Sequence, residues 1–331
     1  MQGQNGAQIM TAQGQGGPQR WRPPKPGSTI RRTVPELIFD SANMLFMWIL
    51  LVVMLFPFWY VLVLSFNEGR DATLGGVYLW PRMFTLENYA FVLGNPVLWR
   101  AYYITISRTI TGSLLAVAVT GLMAYSLSKR HLPGRIVMLF FLMLPMFIGG
   151  TMVSRYIVYS FLGMLNTFWV YILPTAFNFF HMIIIRTFIY GLPVSMEESA
   201  KLDGAGYMRI FVSIVVPLCI PVVAVIFLFN AVTHWLDFST NLIFVTDRRL
   251  RTAQYLLHQI VLEQRISALQ EEEMLWRGMG ADLQDRYMRG SITPHALQMT
   301  TLVIVTVPIL FLYPFIQRFF IQGVRIGAIK E

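Results

Sequence analysis

The chain has 331 residues, of which 55% are hydrophobic and only 13% charged, against about 25% charged residues in an ordinary soluble domain. This composition argues against a soluble enzyme and favours a protein that lies in a bilayer. The net charge of +9 fits basic cytoplasmic loops without any nucleic acid, and a single cysteine, Cys219, excludes an internal disulfide and a multi-cysteine zinc site.

The N-terminal region is rich in Gln, Gly and Pro and shows no hydrophobic periodicity, which is typical of disorder. We therefore predict a disordered cytoplasmic tail over residues 1–40 and a membrane domain over residues 41–331. We assign no functional site to the tail.

Six apolar stretches reach the length of about 20 residues that a membrane-spanning helix needs. They lie within Ser41–Asn67, Tyr103–Ser128, Ile136–Val153, Thr167–Tyr190, Phe211–Leu236 and Leu297–Gln317. The fold class that this pattern predicts is an all-α integral membrane protein with six transmembrane helices. Prolines inside several of the stretches predict kinks.

Lys and Arg are concentrated in the N-terminal tail, in the loop 129–135 and in the C-terminal tail 318–331. The positive-inside rule places these segments in the cytoplasm, so both termini are predicted to be cytoplasmic. The loop 191–213 then also falls inside, whereas the segments 67–100 and 237–295 and a short connection near Arg155 fall outside.

One charge, Arg108, lies within the second predicted span, close to its start. Either it snorkels to the outer boundary and anchors the helix there, or it attracts an anionic, uronate-type sugar. We expect the anchor. Arg186, near the end of the fourth span, is expected to snorkel to the cytoplasmic face.

The loop between the fourth and fifth spans has the pattern of a short helix that ends abruptly. Ser195 and Glu198 have the spacing of a capping box, and Gly204 or Gly206 can supply the left-handed residue that ends the helix. The neighbouring small residues Ser199 and Ala200 would let another surface come close. Local chemistry alone leaves two interpretations open, a docking element and a plain interfacial connection.

This loop resembles the E-A-A-x(3)-G-x(9)-I-x-L-P signature of permease subunits in ATP-binding-cassette importers. The matching residues are Glu198, Ser199, Ala200, Gly204, Ile214, Val216 and Pro217, with Ser199 in place of an Ala and Val216 in place of a Leu. Phe84–Tyr89 and Ala124–Arg130 resemble the entry and exit of this family's second span. Leu162–Asn166 and Gly323–Lys330 are similar to the complex-oligosaccharide branch of the maltose-type carbohydrate permeases. The resemblance covers about residues 41–331.

The resemblance implies the type I importer permease fold in a bacterial inner membrane, and a helix that docks into an ATPase subunit. The residues to which it assigns this coupling role are Glu197, Glu198, Ser199, Ala200, Asp203 and Gly204. The implied partners are a second related permease, two ATP-binding subunits, an extracellular solute-binding protein and an oligosaccharide, neutral or acidic. The chain contains no G-x-x-x-x-G-K-[ST] loop, so ATP and Mg²⁺ are expected on the partner ATPase, with no cofactor, metal or catalytic residue on this chain.

Polar and aromatic residues inside the spans are the candidates for the translocation pathway, because sugars need hydrogen-bonding groups beside flat apolar surfaces. They are Asn178, His181, Asn230, His234 and Trp235. The alternative is that they form hydrogen bonds between helices or, for Trp235, belong to an interfacial belt.

The predicted external insertion 237–295 is long for a loop and is expected to have structure of its own. Its stretch Ala253–Leu275 has helical spacing and carries three glutamates at 271–273. It is either a solvated helix face or a platform for the solute-binding protein.

Other classes of protein fit less well. The five histidines show no H-E-x-x-H spacing and no G-x-S-x-G elbow occurs, which argues against an enzyme. A secondary transporter would be expected to show repeats or ionisable coupling residues in mid-membrane. A non-transporting membrane scaffold is the third possibility.

Overall fold

The computed structural model describes the backbone of residues 34–262 and 293–328, and the side chains of residues 34–262 and 293–311. In this part of the chain the secondary structure is helical, with one isolated bridge between Asn67 and Phe84 and no extended strand. The chain divides into two compact units, Met1–Leu55 and Phe56–Glu331. Of the predicted disordered tail, residues 1–33 lie outside the described ones, whereas residues 34–40 are helical because α1 already begins at Val34.

The helices follow one another with short connections. In chain order they are α1 (Val34–Ser65), α2 (Gly69–Leu74), α3 (Glu87–Leu93), α4 (Pro96–Ser128), α5 (Arg135–Ile148), α6 (Met152–Phe161), α7 (Trp169–Ile172), α8 (Phe179–Tyr190), α9 (Val194–Leu202), α10 (Tyr207–Ile210), α11 (Val216–Leu218), α12 (Ile220–Leu236), α13 (Ser239–Phe244), α14 (253–262) and α15 (Pro294–Ala328). A 3₁₀ turn, Leu173–Thr175, separates α7 from α8.

The first unit consists, in its described part, of the N-terminal portion of α1. This helix has 32 residues, about 48 Å at 1.5 Å per residue, and Pro57 lies inside it without ending it. Its side chains are exposed over residues 34–55, apart from the half-buried Leu50, and they are all apolar from Met44 onwards. An apolar helix that is exposed on all sides is typical of a membrane span.

The second unit is organised around α4. This helix begins at the N-cap Asn95, whose side chain accepts a hydrogen bond from the Val97 N–H, and Pro96 occupies the first helical position. It packs against α8 and α12, and α12 in turn packs against α15. Small buried residues on α4, among them Ala116 and Ala124, allow neighbouring helices to come close.

Three helices are long and apolar enough to cross a membrane, Val34–Ser65, Pro96–Ser128 and Pro294–Phe311, and they match the first, second and sixth predicted spans. The fourth and fifth predicted spans are each a bent pair of helices, with bends of 50° and 82°. Counting each pair as one span gives up to five among the described residues.

The third predicted span corresponds to α5, which has 14 residues. Its length of about 21 Å is short of the roughly 30 Å hydrocarbon core. The helix ends at Ile148 before Gly149 and Gly150, and α6 then occupies what we expected to be a short external connection. The six-span count and the location of both termini therefore stay predictions.

The side chain of Asn166 fixes the connection between α6 and α7 by hydrogen bonds. Asn166 has a φ of 56°, which is uncommon for a residue other than glycine. Its Oδ1 accepts hydrogen bonds from the Thr246 N–H at 2.6 Å, the Thr246 hydroxyl at 2.9 Å and the Asp247 N–H at 3.1 Å. The Leu162–Asn166 segment is thereby joined to the start of the predicted external insertion.

Candidate functional site

The signature loop forms the short helix α9, but it does not begin as expected. The N-cap residue is Pro193, and no side chain caps the helix. Ser195 already has helical geometry inside the first turn, so its hydroxyl is not at the cap position. The predicted Ser195–Glu198 capping box is therefore wrong, because Pro193 supplies the extended residue and the helix starts at Val194.

The end of α9 agrees with the expectation for Gly204. This residue has a φ of +79°, and its N–H donates to the Lys201 carbonyl at 3.0 Å. The next residue, Ala205, donates to the Ala200 carbonyl at 2.9 Å. These two bonds form a Schellman motif around a left-handed glycine. Gly206, the alternative, has a φ of −71° and precedes α10.

Most of α9 is accessible to another molecule. Of the six predicted coupling residues, Glu198, Ser199, Asp203 and Gly204 are exposed, while Glu197 and Ala200 are half-buried. The large side chain of Leu202 is 90% exposed, and Tyr207 and Met208 beyond the turn are exposed as well. Acidic groups beside uncovered apolar side chains are typical of a protein-docking surface.

An ion pair joins α9 to the end of α4. The Lys129 ammonium, just after α4, contacts the Glu197 carboxylate, and both side chains are largely buried. The same ammonium lies 4.2 Å from the centre of the Tyr125 ring, which packs at 5.2 Å against Phe211. The pair thus links α9 directly to the end of α4. Sequence reasoning missed this contact because Lys129 and Glu197 are 68 residues apart.

A second polar contact holds α8 against the same end of α4. Arg186 donates from Nε to the Leu127 carbonyl at 3.1 Å and from Nη2 to the Tyr190 hydroxyl at 2.8 Å. Arg135, at the start of α5, donates to the same hydroxyl at 2.6 Å. Arg186 thus joins α8 to α4, and Tyr190 joins α8 to α5, near the predicted cytoplasmic boundary.

The helix that follows α9 contains a widened turn and a sharp bend. Residues Phe211–Val215 form a π-turn, and the bend of 82° lies between Leu218 and Ile220. Pro217 and Pro221 lack an N–H, so the i−4 carbonyls lose their donors and the helix cannot continue straight. The Ile and Pro positions of the signature thus fall within the bent segment that links α9 to α12.

The structure brings three of the five pathway candidates together. Asn178 is the N-cap of α8, and its side chain accepts a hydrogen bond from the His181 N–H at 3.1 Å. The His181 Nδ1 lies 3.4 Å from the Asn230 Nδ2 on α12, and the Asn230 amide also donates to the Ile226 carbonyl at 2.8 Å. Asn178 is exposed, His181 half-buried and Asn230 buried. This polar cluster can offer donors and acceptors to a sugar.

The other two candidates lie in helix contacts. His234 is buried, with its Nε2 3.3 Å from the Thr175 hydroxyl, and it faces Gly112 on α4. Trp235 is also buried and donates from Nε1 to the Val305 carbonyl of α15 at 3.1 Å. The geometry of both residues is that of hydrogen bonds between helices, and their pathway role stays a prediction.

Arg108 is buried among the helices and does not extend towards lipid or water, so the predicted snorkelling is wrong. Its side chain is 1% exposed and pairs at 2.9 Å with Asp237, which caps α12. The guanidinium carbon lies 4.7 Å from the centre of the Tyr171 ring. Burial alone would raise the pKa of the Asp237 carboxyl, but Arg108 and hydrogen bonds from Thr240 and Ser239 lower it below its usual range.

No group of three or more His, Cys, Asp or Glu residues with metal-binding geometry occurs in the described part of the chain. An apolar recess of about 310 Å³ lies at the end of α5, lined by Phe141, Leu144, Pro145, Ile148, Gly149 and Gly150. None of the pathway candidates lines it.

Apolar helices of membrane-spanning length, together with an exposed helix that ends in the signature glycine, define the chain as a transporter permease subunit. The chain belongs to the family described as the binding-protein-dependent transport system inner membrane component, whose profile matches residues 109–326. The predicted resemblance and the inner-membrane location are confirmed.

Relatives cover nearly the whole chain. The polygalacturonan/rhamnogalacturonan transport system permease protein YtcP of Bacillus subtilis is 32% identical over 88% of this chain and 98% of its own length. The trehalose/maltose transport system permease protein MalG of Thermococcus litoralis is 29% identical over 84% of this chain and 92% of its own.

A solved structure confirms the predicted importer permease fold. It is one chain of a bacterial ABC transporter involved in the import of the acidic polysaccharide alginate. It superimposes with a TM-score of 0.78 over 87% of this chain and 99% of that chain, at 23% sequence identity. This similarity concerns the fold.

Proposed function

We propose that this chain is the permease subunit of an ATP-driven importer of oligosaccharides, and that its substrates are acidic ones. It forms half of the translocation pathway, and α9 couples it to a separate ATPase subunit. The family assignment argues against a secondary transporter and against a passive scaffold.

The observation that carries the coupling role is the exposed surface of α9. Acidic residues and a 90% exposed leucine lie on a helix that is fixed at its end by the Schellman motif and joined to α4 by the Lys129–Glu197 pair. ATP binding would close the paired ATPase subunits, move α9 and turn the cavity outward, and hydrolysis would reset it. ATP and Mg²⁺ belong to those partner subunits.

The substrate class is supported by what the relatives are named for. Polygalacturonan is a polymer of uronic acids, and the structural neighbour belongs to an importer of an acidic polysaccharide. The Asn178–His181–Asn230 cluster supplies neutral hydrogen-bonding groups of the kind that sugar hydroxyls use.

Further partners follow from the proposed role. A second related permease would complete the pathway, two ATP-binding subunits would dock on the two permeases, and an extracellular binding protein would deliver the sugar. Affinity purification of the tagged chain from its native membrane should yield a companion permease and an ATPase. Recovery of the folded chain alone from mild detergent would contradict this composition.

The substrate class is tested by competition. We expect galacturonate oligosaccharides to inhibit uptake of a labelled acidic oligosaccharide, and neutral maltooligosaccharides of equal length to leave it unchanged. Equal inhibition by the neutral sugars would contradict the acidic assignment without affecting the permease role.

A further inference from the structure

The connection between α2 and α3 does not project away from the membrane helix that precedes it. Its segment 77–84 turns back along the last turns of α1. The indole Nε1 of Trp59 donates to the Leu79 carbonyl at 3.0 Å, and the Trp59 ring meets the Trp80 ring edge-on at 5.6 Å between centroids. One residue further along α1, Tyr60 stacks on Tyr78 at 6.4 Å.

These contacts fix the depth of the segment. Trp59 lies six residues before the end of α1 at Ser65, which is about 9 Å along the helix axis. No charged residue occurs between Asp40 and Glu68, so Trp59 belongs to the uncharged stretch that supplies the first span. The Trp80 ring beside it is therefore below the end of the span, at the depth where Trp and Tyr are enriched in membrane proteins.

Several polar groups of this region are paired with one another. Arg82 carries the only charge in the segment, and it pairs with Asp71 at 3.1 Å and donates to the Gly75 carbonyl at 2.6 Å. Asn67 accepts from the Met83 N–H at 3.0 Å and donates to Asp71 at 2.9 Å. Irregular backbone that faces lipid is not tolerated in the hydrocarbon core, so this segment fits the interface, where water can reach its remaining polar groups.

The outward face of the segment is uncovered. Tyr78 is 60% exposed, Leu79 62% and Trp80 72%. Beyond them Met83 and Phe84 are exposed too. This surface is aromatic and apolar, has its single charge neutralised, and continues the apolar surface of a membrane-spanning helix.

We propose that the 77–84 segment lies in the membrane interface at the C-terminal end of α1, with Tyr78, Leu79 and Trp80 in contact with lipid. The positive-inside rule predicts that this interface is the outer one. The segment anchors the end of α1 in the bilayer and is not part of the surface that receives a solute-binding protein.

Site-directed spin labelling tests this placement, and the single cysteine makes it practicable. In a Cys219→Ser background, Trp80→Cys is labelled in the full chain, with the subunits that accompany it, reconstituted in phosphatidylcholine vesicles. Oxygen, which concentrates in the bilayer, and a water-soluble nickel chelate are the two collision partners. The matched control is Arg70→Cys, because Arg70 is exposed on α2 beyond the end of α1.

We expect the ratio of oxygen to nickel accessibility to be several-fold higher at position 80 than at position 70. Nickel accessibility equal to that of the control would place the segment in water and overturn the proposal. Low accessibility to both reagents would mean that protein covers it, which would also overturn the proposal.

A second measurement removes the tryptophan without attaching a label. In vesicles with brominated phosphatidylcholine, Trp80→Phe should lose a fluorescence component that bromine quenches and aqueous iodide does not. If the lost component is quenched by iodide instead, Trp80 faces water and the proposal fails. Either result can be read even if the labelled cysteine variant does not fold.

Discussion

At the scale of single residues, the Arg108–Asp237 pair inside the helix bundle is the feature whose burial costs the most free energy. Taking two charges out of water costs several kcal/mol per ion, and only close pairing with further hydrogen bonds offsets this cost. Here Asp237 also accepts from the Ser239 hydroxyl at 2.8 Å and from the Thr240 N–H at 3.1 Å, and Tyr171 lies against the guanidinium. The pair joins α4 to the end of α12, where sequence reasoning had placed an isolated anchor.

Breaking the pair from one side should therefore destabilise the chain strongly. We expect Arg108→Met to lower the free energy of unfolding by about 3 kcal/mol or more, because Asp237 is left without its counter-ion. The measurement is thermal unfolding in detergent. Arg100→Met, an exposed arginine on the same helix, is the control and should change little. Adding Asp237→Asn to Arg108→Met should recover part of the loss. Equal stability of Arg108→Met and the control Arg100→Met would contradict the assignment.

Two glycines of α4 give a matched test of helix packing. A Cβ at Gly112 would lie 2.4 Å from Nε2 of the buried His234, whereas at Gly121 the nearest atom would be Cζ of Phe211 at 3.8 Å. We expect Gly112→Ala to cost about 1–3 kcal/mol through overpacking. Gly121→Ala should cost nothing, because alanine favours the helix. Comparable unfolding temperatures for both variants would mean that His234 is not held against α4.

At the scale of elements, α9 and its connections carry the coupling role that we propose. The helix is nine residues long, ends at a left-handed glycine and is followed by a π-turn and an 82° bend before α12. Because it is tied to α4 through Lys129 and to α12 through the bent segment, a force on α9 reaches two helices at once.

Alanine substitutions at Gly204 and Gly206 distinguish the effect of backbone strain from the effect of a new side-chain contact. A Cβ would meet nothing within 4 Å at either position, but only Gly204 has a positive φ. Gly204→Ala should therefore cost about 1 kcal/mol and Gly206→Ala almost nothing. Gly204→Pro, which also loses the N–H bonded to Lys201, should lower uptake at least about tenfold, a barrier change of about 1.4 kcal/mol, while ATP hydrolysis continues. Full coupling in reconstituted vesicles would contradict this role.

The Lys129–Glu197 pair can be tested by charge exchange. Lys129→Glu and Glu197→Lys should each lower the ratio of uptake to ATP hydrolysis by about fivefold, which corresponds to about 1 kcal/mol for a partly exposed pair. The double exchange should restore the ratio. Arg130→Glu, an equal charge change on the exposed neighbour, serves as the control. Failure of the double exchange to rescue would show that the two residues act separately.

The sequence predicted those features that are set by neighbouring residues, and it missed those that depend on contacts between distant residues. Apolar stretches located α1, α4 and the start of α15, and the signature located α9 and its glycine, because composition and turn chemistry are properties of neighbouring residues. The partners of Arg108 and Lys129 lie 129 and 68 positions away, so no local pattern could reveal them. The capping box was wrong because Pro193, one residue before the helix, decided where it starts.

The pathway candidates show the same division. Residue type alone selected Asn178, His181, Asn230, His234 and Trp235 as polar or aromatic groups within the spans. Only the packing of α8 against α12 separates the exposed and half-buried cluster from the two residues buried in helix contacts. Burial is a property of the tertiary fold, so the sequence could not distinguish the two groups.

At the scale of the whole molecule, the chain is a membrane component of a transport system. It belongs to the inner-membrane components of binding-protein-dependent transport systems, and its sequence contains no phosphate-binding loop. Among the described residues, two of the uncovered surfaces are of different kinds, the apolar face of α1 with the aromatic 77–84 segment, and the mixed acidic and apolar surface of α9. The first kind suits lipid or another membrane subunit, and the second suits a soluble partner.

Uptake into vesicles that contain the purified assembly tests the central claim most directly. With the binding protein outside and ATP inside, a labelled acidic oligosaccharide should accumulate, and accumulation should stop when ATP is replaced by a non-hydrolysable analogue. An imposed proton or sodium gradient should not replace ATP. Accumulation by this chain alone, driven by an ion gradient without any nucleotide, would contradict the account.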